Sequence, residues 1–287
     1  MNKKLAIILL LGAFIVSSCS EPISEEKDTI YSGQDNSKAE THFYATYDVI
    51  YDIVSTNDKL QKGETTILPS SAEVTFEDST FLDGNGISFT VDFGPLGTSE
   101  PKGTLCQDGR YRAGKLHISA NSKFLDPLFT VVVTLNDDDQ FFSGNGSDMV
   151  QVIGTKKITK QTLTSLKIEI SDAKIITDEY ELPWSSTRII ELVSDKGPGI
   201  WGDVYKVTGS AQGSNRFGEE YEVDIITPLI KKMELGCAQT FVSGKLNVSM
   251  TNSNKVIGVN YDPYGNEACD MFAEADIQGR KTIFRVR

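Results

Sequence analysis

The chain is 287 residues long, 39% apolar and 24% charged, with 28 Lys and Arg against 40 Asp and Glu, a net charge of -12. This composition excludes a multi-span membrane protein and a disordered acidic tail. The acidic balance without a basic cluster argues against nucleic acid as a partner, and two histidines, His42 and His117, leave little material for histidine-dependent chemistry.

Lys3 and Lys4 precede an apolar run over residues 5–16 that is too short to span a bilayer. Val16-Ser17-Ser18-Cys19 follows and resembles a bacterial lipobox. Residues 1–18 are therefore expected to be a lipoprotein signal peptide, with Cys19 the lipidated first residue of the mature protein. The alternative is an ordinary signal peptide beside a bystander cysteine. Each buried CH₂ of an acyl chain contributes about 0.8 kcal/mol, so two or three chains anchor stably. Residues 19–39 are polar and acidic and suggest a flexible tether. Within it, Ser20-Glu21 and Glu25-Glu26 resemble the acidic export signal of surface lipoproteins in the Bacteroidota, which implies the outer membrane and surface exposure.

Over residues 42–55, Phe43, Tyr47, Ile50, Tyr51 and Val54 recur at helical spacing, which predicts one short N-terminal helix; the same residues would also suit a strand. The rest of residues 40–287 alternates. Leu166, Ile168 and Ile170 are interleaved with Lys167, Glu169 and Ser171, and Leu246, Val248 and Met250 with Lys245, Asn247 and Ser249. Hairpin signals separate such runs, among them Asp83-Gly84-Asn85-Gly86, Asp108-Gly109 and Asn145-Gly146. The expectation is a mainly β fold, antiparallel and sandwich-like or barrel-like. Gly114-Lys115-Leu116-His117-Ile118-Ser119 is echoed by Gly244-Lys245-Leu246-Asn247-Val248-Ser249, and Val91-Asp92-Phe93-Gly94 by Val259-Asn260-Tyr261-Asp262. The echoes come in opposite order and raise two related β units, residues 40–157 and 158–287.

Beyond Cys19 the thiols are Cys106, Cys237 and Cys269. A hairpin centred on Asn252-Ser253 places Cys237 opposite position 268, which favours a Cys237–Cys269 disulfide; pairing with Cys106, or none, stays open. Three dispersed cysteines lack close ligand pairs, so no metal is expected. Asn136-Asp137-Asp138-Asp139 with Asn145 and Asp148 could offer oxygens to calcium, but the spacing is not that of an EF-hand loop, and an acidic hairpin loop is the simpler account. Gly197-Pro198-Gly199-Ile200-Trp201-Gly202 matches G-x-G-x-x-G only formally, because β-patterned sequence follows where a dinucleotide site needs a helix. No cofactor is implied.

Arg110 and Arg112, two residues apart, could grip an anionic ligand or pair with Asp92 or Asp108. Arg188 lies among apolar strand neighbours and needs a carboxylate, with Asp203 as one choice. Trp184, Trp201, Tyr205 and Tyr264 could form a platform for a sugar ring; Trp201, in a Gly-Pro loop, is the best candidate for exposure.

Three stretches together carry a resemblance. They are Val91-Asp92-Phe93-Gly94 leading to Cys106 and Asp108-Gly109-Arg110-Tyr111-Arg112-Ala113-Gly114; Trp184-Ser185-Ser186-Thr187-Arg188 with Asp203-Val204-Tyr205; and Pro228-Leu229, Cys237, Ser243-Gly244 and Cys269-Asp270. Over residues 70–287 this order is similar to a group of secreted lipoproteins of the Bacteroidota without assigned activity. The resemblance implies a surface β protein and supplies no catalytic residue. The chain departs from the group at Asp262-Pro263-Tyr264-Gly265-Asn266-Glu267-Ala268, where the group has a Gly-Asp-Gly turn. The expected function is a non-enzymatic, lipid-anchored envelope protein for adhesion or ligand binding, with a glycan or another envelope protein as partner. The rivals are a structural docking protein and an extracellular hydrolase acting on polysaccharide or peptide.

Overall fold

The computed structural model describes residues 24–55, 68–197, 201–238 and 240–286; the signal segment and Cys19 lie outside them. Helix α1 (Ser24–Ser55) comes first. Eight strands then follow in chain order: β1 (Glu73–Asp78), β2 (Ile87–Asp92), β3 (Thr104–Leu105), β4 (Tyr111–Ala113), β5 (Lys115–Ala120), β6 (Thr130–Leu135), β7 (Phe142–Gly144) and β8 (Met149–Lys160). The second eight are β9 (Ser165–Ile176), β10 (Glu181–Ser194), β11 (Val204–Ser214), β12 (Glu220–Lys232), β13 (Ser243–Met250), β14 (Val256–Asn260), β15 (Phe272–Ile277) and β16 (Arg280–Arg285).

All sixteen strands belong to one antiparallel sheet, ordered β1-β2-β5-β6-β8 and then as a meander from β8 to β16. β7 pairs with the start of β8, and β4 and β3 extend from it as a side wing. Among the described residues the sheet is not closed, because β1 and β16 end it without pairing. The fold is thus mainly β, as the alternation predicts, with the apolar residues of each strand on one buried face. In β10, Leu182, Trp184, Ser186, Arg188 and Ile190 take that face.

The long strands bend through bulges. Asp172 is an extra residue in β9, with φ 49°, opposite the step from Trp184 to Ser186, and the pairing of β11 with β12 shifts between Val207 and Ser210. Gly209 is required at the second shift: its φ is 121°, and a Cβ there would lie 2.2 Å from the Thr187 carbonyl oxygen. Such bulges curl a sheet, and the concave side is filled by α1.

Residues 24–39 are not a tether. They are the first half of α1, which is also far longer than the predicted segment. From Ser32 to Thr46 the helix is buried or half-buried on every side, polar residues included: Ser32, Asp35, Asn36, Ser37, Glu40, Thr41, His42 and Thr46 are all buried. The strands supply a partner for most of them. Asp35 pairs with Arg216, and Glu40 Oε1 accepts from Arg188 Nε at 2.9 Å. Trp184 Nε1 donates to Asn36 at 3.0 Å, Asn215 Nδ2 donates to Ser32 at 2.8 Å, and Ser37 and Tyr261 share a hydrogen bond of 3.0 Å. Lys156 reaches inward to the Phe43 carbonyl at 2.6 Å and to Thr46 Oγ1 at 3.2 Å. Apolar contacts complete the seat, with Phe43 stacked on Trp184 at 5.3 Å and Tyr44 edge-on to Phe241 at 5.1 Å.

The two sequence echoes are neighbours with matching registers. Val91 faces Leu116 and Asp92 faces Lys115; Val259 faces Leu246 and Asn260 faces Lys245. The bond from Phe93 N to the Gly114 carbonyl (2.9 Å) has its counterpart from Tyr261 N to the Gly244 carbonyl (3.0 Å).

Candidate functional site

Where the β4–β7 wing approaches the end of β16, the wall around α1 has a seam. A cavity of about 430 Å³ opens there. One side is formed by Gly109, Arg110, Gly144, Asn145 and Asp148, the other by Gly236, Cys269, Asp270, Met271, Arg285 and Val286, and the floor by Thr41 and His42 of α1.

Each wall is held by local chemistry. On the wing, Arg112 makes a bidentate pair with Asp108 (Nη1–Oδ1 2.9 Å, Nη2–Oδ2 2.5 Å), and its Nη2 also donates to the Ala45 carbonyl at 2.9 Å. Burial alone would raise the Asp108 carboxyl, but the adjoining Arg112 guanidinium outweighs it and holds the group below its usual range. Asp108 also accepts from the backbone NH of Arg110 (3.1 Å), fixing where that residue enters the cavity. On the far side, Cys237 and Cys269 are bonded, closing a loop of sequence separation 32. Asp270 Oδ1 accepts from the Phe272 NH at 3.0 Å, and Asn145 Oδ1 caps the NH groups of Ser147 and Asp148 at 3.0 and 2.7 Å. A disulfide of this kind contributes about 2–4 kcal/mol to holding its wall.

His42 is the distinctive group. It is 3% exposed, and its Nδ1 has no hydrogen-bond partner in the protein. Burial, reinforced by the positive charges of Arg110, Lys38 and Arg112, pushes its pKa well below the usual histidine value. A neutral imidazole thus lines a cavity together with two arginines, Arg110 and Arg285, and two aspartates, Asp148 and Asp270. The arginines attract an anionic group, and the aspartates beside them suit one that also carries hydroxyl or amide donors.

The other candidate residues are distributed differently. Arg112 is fully buried and bonds to Asp108 and the Ala45 carbonyl, which ties the wing to α1. Arg110 is buried too, but it lines the cavity. Arg188 pairs with Glu40 of α1 rather than Asp203, which instead accepts from Tyr205 Oη at 2.9 Å. Trp201 is half-buried against the core, and Trp184 and Tyr205 are internal, so these rings form no outward platform with the exposed Tyr264. The glycine motif around Trp201 leads into strand β11, not a helix. In the acidic loop, Asp137 Oδ1 accepts from Gln151 at 3.0 Å and Asp139 lies 2.9 Å from His117 Nε2. Among the described residues, no group of three or more His, Cys, Asp or Glu side chains converges on a metal-sized point. Cys106 is a buried free thiol.

A larger hollow of about 510 Å³ lies on the outer face of β9 to β12, but its charged groups, Asp172, Lys174, Glu220 and Glu222, are solvated surface residues. Sequence reasoning assigned His42 only to the edge of a helix. Its burial depends on strands that lie beyond the reach of local pattern. No known protein family, curated protein or solved structure matches the chain.

Proposed function

We propose that this chain is a non-catalytic, lipid-anchored protein of the cell envelope whose seam cavity binds a ligand carrying a carboxylate or phosphate group. The observation that carries the binding reading is the cavity lining itself, in which Arg110 and Arg285 stand with the buried His42. The anchor rests on the lipobox-like Val16-Ser17-Ser18-Cys19. Calorimetric titration of the purified protein with uronic-acid oligosaccharides, sugar phosphates and small dicarboxylates, each beside a neutral counterpart, tests the site. At least one anionic ligand is expected to bind and its neutral counterpart to fail. Arg285→Gln is expected to weaken that binding about tenfold, the weight of one charge-assisted contact near 1.4 kcal/mol. Equal affinity for neutral and anionic ligands would remove the proposal. Growth with a labelled fatty acid is expected to tag the protein, and Cys19→Ala to abolish the tag.

A further inference from the structure

The two edges of the sheet carry opposite charge. β1 presents Glu73, Glu77 and Asp78 with no base, and β16 presents Arg280, Lys281 and Arg285 with no acid. Among the described residues neither strand has a second neighbour. An open edge normally exposes a row of unpaired amides and carbonyls, and charges of a single sign prevent it from pairing with its own kind. Here β1 repels a second β1 and β16 repels a second β16. The one attractive combination is β16 with the β1 of another molecule.

Backbone polarity permits that combination in one orientation. Each step of the path β1-β2-β5-β6-β8-β9-β10-β11-β12-β13-β14-β15-β16 is antiparallel and the number of steps is even, so β1 and β16 run in the same direction. Phe93 N bonds to the Gly114 carbonyl, so the odd residues of β2 turn toward β5 and its even residues toward β1. Through the register of β1 on β2, Val74 and Phe76 then turn their own amides and carbonyls away from the sheet. Val286 N bonds to the Met271 carbonyl, so the even residues of β16 face β15, and Lys281, Ile283 and Arg285 face outward. In a parallel ladder an outward residue bonds to the two residues flanking its opposite number. Val74 set beside Thr282 would reach Lys281 and Ile283, and Phe76 beside Phe284 would reach Ile283 and Arg285.

In that register the side chains also agree. Glu73 falls beside Lys281 on the outer face, where Lys281 already pairs with Glu274 at 2.8 Å, while Phe76 falls beside Phe284 on the inner, apolar face. Ile283, 45% exposed, would be covered beside Thr75. We propose that copies of this protein associate head to tail by parallel addition of β16 of one to β1 of the next, a contact that leaves a free β1 at one end and a free β16 at the other.

Sedimentation velocity of the purified full-length protein over a concentration series tests this. Species beyond monomer are expected to grow with concentration and to recede as salt rises. Glu73→Lys with Glu77→Lys, and separately Lys281→Glu with Ile283→Glu, are each expected to give monomers. An equimolar mixture of the two variants is expected to associate again, because it holds one intact β1 and one intact β16. Monomer at every concentration of the unaltered protein would overturn the proposal, as would assembly that survives either double substitution.

Discussion

Glu40 and Arg188 meet where no water reaches, their side chains 0% and 1% exposed. A buried pair is expensive to form and more expensive to break, because the survivor remains charged and unpaired. Arg188→Met is therefore expected to cost about 3–5 kcal/mol of unfolding free energy, measured by urea denaturation, and Glu40→Leu combined with it to recover most of that loss. His42 has the opposite character, a titratable group kept neutral. Its folded pKa lies below its unfolded value near 6.5, so the unfolded chain binds more protons and stability falls with acid. The loss is expected to begin as pH drops below about 6.5, with a slope of up to about 1.4 kcal/mol per pH unit from this one group. Comparing denaturation curves at pH 7.5 and 5.5 checks it, and His42→Gln should flatten the difference.

At the scale of elements, α1 departs from the usual amphipathic rule, in which an apolar stripe faces the core and the remainder faces water. From Ser32 to Thr46 it is enclosed, and most of its polar residues there have a partner on the strands. Gly33 lies in its middle, where a Cβ would meet Val259 Cγ2 at 3.4 Å, an ordinary contact. Gly33→Ala is expected to stabilise the protein by about 0.5–1 kcal/mol through helix propensity, read as a raised denaturation midpoint. The strands were legible in the sequence because period-two alternation survives even where the inward residue is Arg188 or Ser186. The β13–β14 register was legible as well, since the short turn at Asn252-Ser253 fixes it: Lys245 pairs with Asn260 as the hairpin arithmetic requires. The first half of α1 was not. Asp35, Asn36, Ser37 and Glu40 look solvated until their partners are known, and those partners stand 148 to 224 residues away. Ser24 followed by Glu25 and Glu26 is an acceptable helix start, with acids near the positive end of the dipole, yet the same acids equally suggest a tether. The cavity was hidden for a similar reason. Arg110 was visible as a candidate, whereas His42 became one only when burial removed its partners.

For the whole molecule, one apolar cluster runs from Phe89 and Val133 through Phe43 and Trp184 to Val259 and Phe284. It crosses the boundary between residues 40–157 and 158–287, and α1 binds Arg112 and Lys156 on one side of it and Arg188, Arg216 and Tyr261 on the other. Calorimetry is accordingly expected to show a single cooperative transition, and residues 158–287 expressed alone to lack a stable fold, whatever the ancestry of the echoed strand pairs. The central helix also sets a timetable. It leaves the ribosome before the strands, and Asp35, Asn36, Ser37 and Glu40 are answered by Arg216, Trp184, Tyr261 and Arg188, which emerge 148 to 224 residues later. The helix therefore cannot be fully seated before Tyr261 has been made, so the core closes only after the long meander of strands is in place.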